Sequence, residues 1–374
     1  MSSFAFRFLV VFVGGVVLGV LSFLWWNTAE VPASANPPVA AFDPTTTTVP
    51  PTTTTTTVPP TSTSTVPPST TTTEPPRGTL VIHGTGDVAV DPDYIPAFRS
   101  RGWDHAWSGL EGLFVRDDLT VINLECVPSD IGEPVNKEFT FRCPTEALPS
   151  IRSNGIDVAN MGNNHSGDFG KDALVDGRLQ LMANDIAAVG AGKDLAEAGE
   201  AALFEINGWK VAVVGFGGVA PSPSWYATED SPGMRSGDDT DQMVEAVAAA
   251  SEVADIVIVT IHWGIELDTT PRADDIERAN AMIEAGAYII FGHHPHRMQP
   301  LDMVDGAAVF WSLGNFVWPH NSIPSATTAV ARVVVHPDGT IEACLIPAFI
   351  ETHGHPVLTA EPECGPGPLV KPIR

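Results

Sequence analysis

Basic residues are scarce in this chain. Nineteen lysines and arginines stand against 45 aspartates and glutamates, a formal net charge of -26 over 374 residues. Such a surface repels polyanions, which argues against nucleic acid or anionic lipid as a partner. A polyanionic substrate would need a local positive site, such as bound metal. Cysteines are few as well: Cys126, Cys143, Cys344 and Cys364, with no C-x-x-C among them. A cysteine-based metal site is therefore the weaker reading. In an exported domain disulfides are permitted, and short loop closure favours the pairs Cys126–Cys143 and Cys344–Cys364. No internal repeat is found, which removes the solenoid architectures.

What is abundant is segregated along the chain. Residues 8–26 form an apolar run long enough to span a bilayer, with Arg7 just before it and Glu30 as the first charge after it. That asymmetry predicts an N-terminus inside and the remainder exported. The region 1–30 is read as a membrane anchor, with a cleaved signal peptide ending near Ala33-Ser34-Ala35 as the rival. Residues 44–77 are nearly all Thr, Pro and Ser, so 31–77 reads as a disordered, extended stalk. The stretch 78–355 is long enough for one large α/β domain. A Pro/Gly-rich tail, 356–374, is expected to follow.

Short Val/Ile-rich runs recur through that domain, and each ends in polar or glycine-rich sequence. TLVIHGTG (79–86) ends at Asp87 and LTVINL (119–124) at Glu125. IDVANMG (156–162) ends at Asn163, Asn164 and His165. WKVAVVGFGG (209–218) ends in glycines, and ADIVIVTI (254–261) ends at His262. AYIIFG (287–292) runs into His293, His294 and His296, and AAVFWSLG (307–314) ends at Asn315. Helical patterns lie between several of these, at 172–185, 241–254 and 274–286. The first is expected to place Leu174, Leu179, Leu181 and Met182 on one side. Gly286 is a plausible stop for the last. Strand–helix alternation predicts a largely parallel sheet wrapped by helices, with the site beyond the carboxyl ends of the strands.

Asp87, Glu125, Asn164, His165, His262, His294 and His296 all fall at such ends. Carboxylate, amide and imidazole together are a ligand set for Mn, Zn or Fe. His294 and His296 flank Pro295 and can aim at one site from an extended turn. Glu125 could bridge two ions about 4 Å apart, as in two-metal hydrolytic sites.

GDVAV (86–90), NLE (123–125), NNHSGDFG (163–170), HWGIE (262–266), GHHPH (292–296) and SLGNF (312–316) together resemble the CapA family of poly-γ-glutamate capsule proteins. That family belongs to the calcineurin-like metallophosphoesterase superfamily. The resemblance implies a sandwich of β-sheets flanked by helices. It implies one or two divalent ions held by Asp87, Glu125 at the bridging position, Asn164, His262, His294 and His296, with His165 acting on the substrate or leaving group. It implies a role in synthesis or export of an anionic surface polymer beside capsule-synthesis membrane subunits. A free-standing phosphoesterase or polymer hydrolase, and a non-catalytic polymer-binding subunit, are the other readings. The superfamily's D-x-H is broken here, since Ala89 stands two residues after Asp87, so one metal position is a ligand short.

Other candidates carry two readings each. Asp168 suits the N-cap of the helix after Gly170, or support of His165. Asn163 suits a turn. Glu266 is a surface charge or an acceptor behind the ligands, and His293 an orienting neighbour. Lys137, Arg142 and Arg297 are candidates for an anionic substrate, or partners in salt bridges. His83 should point away from the site, and His353 and His355 are not expected to be ligands.

Overall fold

The computed structural model describes residues 76–360. The expected anchor, the stalk up to residue 75 and Cys364 lie outside the described residues. Among the described residues, no helix is long and apolar enough to cross a membrane.

Two sheets face each other. From one edge, the first runs His355–Leu358, Ile341–Thr352, Thr327–Val335, Leu80–Val88, Leu119–Leu124, Val158–Asn160 and Ala187–Val189, with Asn315–Val317 also paired to Leu80–Val88. The second runs Leu301–Val304, Ala307–Phe310, Ala287–His293, Ile256–His262, Trp209–Gly217 and Ala202–Ile206. The central strands of both pair in parallel, and these are the apolar runs expected from sequence. The outer strands pair antiparallel, except Ala187–Val189, a parallel edge strand of the first sheet. The expected boundary at 355 cuts through this arrangement, because His355–Leu358 is the edge strand of the first sheet.

The runs are apolar on both faces because both faces are covered. Leu80, Ile82, Leu119 and Val121 of the first sheet share one core with Val211, Val213, Ile258 and Ile289 of the second. Behind the second sheet lie the helices Thr240–Ser251 and Ala273–Ala285, through Met243, Val247, Ala279 and Met282. Gly286 ends the latter in the left-handed region, at φ 119°. Behind the first sheet lie Leu148–Ser153 and Lys171–Ala183. The order is helix, sheet, sheet, helix.

The last of these helices corrects one expectation. It buries Ala173, Leu174, Gly177, Arg178 and Leu181, while Leu179 and Met182 are 56% and 53% exposed. Positions 174, 177, 178 and 181 form the true i, i+3, i+4, i+7 stripe. Arg178 belongs to it because its guanidinium donates to Ala188 O and meets Glu200 at 2.7 Å.

Register places the polar residues. Asp87 lies opposite Asn123 and Asn315, and Asn123 opposite Asn160. In the second sheet His293 lies opposite His262, and His262 opposite Gly217. Two polar rows therefore meet at the same end of the sandwich. Gly86 permits the close crossing before Asp87, since a Cβ there would sit 2.1 Å from Gly314 O.

Candidate metal centre

Five segments deliver side chains to one point: the ends of Leu80–Val88, Leu119–Leu124 and Ile256–His262, the turn after Asn160, and the turn after His293. Asp87, Glu125 and His262 are fully buried, and His294 is nearly so. Glu125 Oε1 is the hub. It lies 3.7 Å from His262 Nε2, 3.8 Å from His296 Nε2 and 3.9 Å from His165 Nε2, with no hydrogen-bond partner of its own. Asp87 Oδ2 and His296 Nδ1 approach to 3.0 Å, and both also lack a hydrogen bond. Asn164 Oδ1 is 2.8 Å from His262 Nε2. Two groups of donor atoms, each within 4.8 Å of one another, emerge: Glu125 with His262 and His294, and Asp87 with Glu125 and His296. Glu125 belongs to both.

Asn123 arranges these donors, and the sequence reading missed it. Its Nδ2 lies 2.9 Å from Asp87 Oδ1, 3.4 Å from Glu125 Oε2 and 3.2 Å from His262 Nδ1. The rear atom of each ligand is thus engaged, and the front atoms Oδ2, Oε1 and Nε2 face the centre. Asn160 Nδ2 and Asn163 Nδ2 both approach Asn123 Oδ1 at 3.4 Å and fix it in turn. The signal was present in N-L-E, but a strand-end asparagine beside a carboxylate carries no unique meaning until register is known.

The histidine turn is not extended. His294 and His296 both take positive φ, 94° and 52°, on either side of Pro295. Non-glycine residues enter that region at a cost on the order of 1–3 kcal/mol each. The surrounding structure holds them there, and both rings then face the carboxylates. His293 stays in the strand. Its Nε2 meets Thr260 Oγ1 at 3.1 Å and its Nδ1 lies 3.7 Å from Asp87 Oδ1, so it packs behind the ligand Asp87.

His165, itself buried, stands beside Glu125. Its Nδ1 meets Asp168 Oδ2 at 2.6 Å, which turns Nε2 toward Glu125. Asp168 also accepts from Phe141 N and Lys137 Nζ, each at 2.8 Å. It therefore does not cap the following helix; Gly170 occupies that position. Asn163 does shape a turn, its Oδ1 accepting from His165 N and its Nδ2 donating to Leu124 O. Lys137 reaches the site, with Nζ 3.1 Å from His165 Nδ1. Arg142 does not: its guanidinium donates to Ser129 O and Gly132 O and stacks on Phe169. Arg297 donates to His296 O beside the centre. Glu266 is exposed and His83 pairs with Asp117 at 2.6 Å, both apart from the donor groups. His353 and His355 lie on the C-terminal hairpin, likewise outside them. Cys126, beside Glu125, is bonded to Cys143 as expected, and Cys344 is disulfide-bonded.

Burial controls the charge state. It drives His262 well below the usual imidazole range, His293 down to about 4 and His294 down to about 3. Neutral imidazoles keep the lone pair that a metal needs. Burial, then the Asp87 charge, pushes Glu125 well above the carboxylate range. Burial also pushes Asp87 upward, but His296 and His293 outweigh it and hold Asp87 low. Buried carboxylate oxygens without hydrogen-bond donors, beside the neutral rings of His262 and His294, fit a divalent cation. Ala89 is buried and backbone-bonded to Val317 O, so the Asp87 side of the centre has three donors where the Asn164 side has four.

A buried cluster of carboxylate, amide and imidazole at the strand ends of a four-layer sandwich defines a candidate divalent-metal protein. A family described as bacterial capsule synthesis protein, PGA_cap, matches residues 81–320, and the chain belongs to that family. It is 28% identical over 258 residues to the PGA biosynthesis protein CapA of Bacillus subtilis, covering 68% of this chain and 67% of that one. It is 30% identical over 223 residues to the capsule biosynthesis protein CapA of Bacillus anthracis, covering 59% and 54%. The chain thus spans between about half and two thirds of these relatives' lengths. Among solved structures, NAD nucleotidase (NadN) of Haemophilus influenzae overlaps loosely: TM-score 0.42, 11% identity, over 72% of this chain and 50% of that one.

Proposed function

We propose that this is a CapA-type envelope protein acting in synthesis or export of poly-γ-glutamate or a related anionic polymer, through a metallophosphoesterase-type centre. The unpartnered Glu125 Oε1, ringed by three imidazole nitrogens, carries the reading. Asp87, Glu125 and His296 would hold one divalent ion of the Mn, Zn or Fe type, and Glu125, Asn164, His262 and His294 the other. Such ions, when bound, polarise a phosphoryl or carbonyl oxygen and make water a better nucleophile.

The chain's own residues supply orientation and a proton. Asp168 takes the Nδ1 hydrogen bond of His165 and turns Nε2 toward the substrate. Burial lowers this imidazole below its ordinary range, and the Asp168 carboxylate opposes that shift, stabilising the ring when Nε2 takes up the proton it passes to the leaving group. Lys137, beside it, compensates negative charge. In this reading residues 8–26 anchor the chain, the domain works outside the cytoplasmic membrane, and capsule-synthesis membrane subunits are its partners. The Cys126–Cys143 bond suits that oxidising side.

The test is metal content by plasma mass spectrometry of the full chain, purified without chelator, beside a His294→Ala/His296→Ala variant. Two ions lost in the variant support hydrolytic chemistry. One ion supports the reduced site that Ala89 implies. No ion after metal is offered back overturns the catalytic reading and leaves a polymer-binding subunit.

A further inference from the structure

Lys137, Lys171, Lys193, Lys210 and Lys371 are the only lysines in the sequence, and two of them line one cavity. Its volume is about 420 Å³, within the usual range for small-ligand sites. Val135, Leu174, Trp225, Ser222 and Ser224 complete its useful surface. It adjoins the metal centre through Lys137, whose Nζ is 3.1 Å from His165 Nδ1.

The walls are built for each other. A Cβ on Gly167 would sit 2.9 Å from the Trp225 ring, so the indole packs closely against that backbone. Lys137 Nζ is 5.4 Å from the same ring centroid. Lys137 is half-buried and paired with Asp168. Lys171 differs: it donates to Ser231 Oγ at 2.7 Å, and no carboxylate pairs with it among the described residues. An ammonium without a carboxylate partner is conspicuous in a chain of net charge -26.

We infer that this cavity is a subsite for an acidic, amide-linked chain, with a carboxylate on Lys171 and intervening methylenes on Trp225. The inference rests on the proposed function and gives its polymer a seat. An ammonium binds a carboxylate as a point charge. The indole, with Val135 beside it, offers apolar surface that a compact inorganic anion cannot use. A γ-linked glutamyl unit has both features: a free carboxylate, and a run of CH₂ groups within the backbone. Seated there, it leads its next amide toward His165.

Binding of short γ-linked glutamate oligomers to the full chain tests this by calorimetry, with inorganic phosphate and α-linked oligoglutamate as competing probes. Lys171→Met and Trp225→Ala are each expected to weaken the oligomer by about tenfold, the scale of one charge-assisted contact. Trp225→Phe should recover most of the loss, and Lys210→Met, an exposed control, should change nothing. Metal content should stay as in wild type for all four. Oligomer binding indifferent to Lys171 and Trp225, or absent from wild type, overturns the subsite while leaving the metal centre standing. Phosphate displacing the oligomer more strongly than α-linked oligoglutamate overturns the commitment to an acidic amide chain. A chain that loads no metal yet binds the oligomer through Lys171 keeps the subsite and sinks the hydrolytic reading instead.

Discussion

Asn123 sets the geometry of the centre without standing among its metal donors. Its Nδ2 faces three ligand residues from behind, and its own oxygen is fixed by two more asparagines. Partners behind metal ligands commonly contribute 10–100-fold to affinity. Asn123→Ala should therefore weaken metal retention by about that factor in a chelator-competition titration, with the fold intact by circular dichroism. Retention equal to wild type would show that the ligands hold their own orientation. His165→Asn should behave in the opposite way, keeping metal while any turnover of model phosphoesters falls by about 10²–10⁴-fold. Residues of this kind divide by legibility. His262, His294 and His296 were visible because imidazoles at the end of apolar runs have no core use. Asn123 and Asn160 were not, since their partners are set by strand register across 36 to 40 positions of sequence.

Elements carry the next set of consequences. The strands of both sheets were readable because burial on both faces leaves uninterrupted Val/Ile runs. The outer strands escape that reading for different reasons: Leu301–Val304 and His355–Leu358 are short, while Thr327–Val335, buried almost throughout, falls outside the strand–helix alternation and ends in no cluster of ligand-type residues. The helix Lys171–Ala183 was found but faced wrongly, because its buried stripe contains Gly177 and Arg178 where an apolar pattern was sought. Leu181→Ala should cost about 2–5 kcal/mol of unfolding free energy, and Leu179→Ala, at an exposed site, within about 0.5 kcal/mol. Urea denaturation of the pair checks which face is inside.

The C-terminal hairpin carries a pH dependence. His105 stacks on His355 at 4.4 Å, and burial pushes both below the ordinary imidazole range. The unfolded chain therefore takes up protons first as pH falls through about 6.5, and stability declines below that point. The denaturation midpoint should drop between pH 7.5 and 5.5, and by less in His105→Phe, which keeps the ring but cannot titrate.

For the whole molecule, the ligands come from both sheets, so only the closed sandwich presents them together. An ion that binds the folded chain and not the unfolded one adds about 2.7 kcal/mol of stability at 100 times its dissociation constant. Thermal unfolding with and without Mn, Zn or Fe should show a midpoint that climbs with free metal. A midpoint indifferent to all three would argue that the donors never close on an ion. The acidic surface works against the same compact state, so added neutral salt should raise the midpoint of the metal-free chain as well.

Glu125 and His296 are neighbours in space yet follow strands of different sheets, with most of the domain's chain between them. A centre whose parts are that remote in sequence is assembled at the end of folding rather than at its start. Metal should then leave the refolding rate nearly unchanged and slow unfolding by almost the whole of its binding advantage. The ion would act as a latch on time: it decides how long the folded chain survives, and has little say in how quickly it gets there.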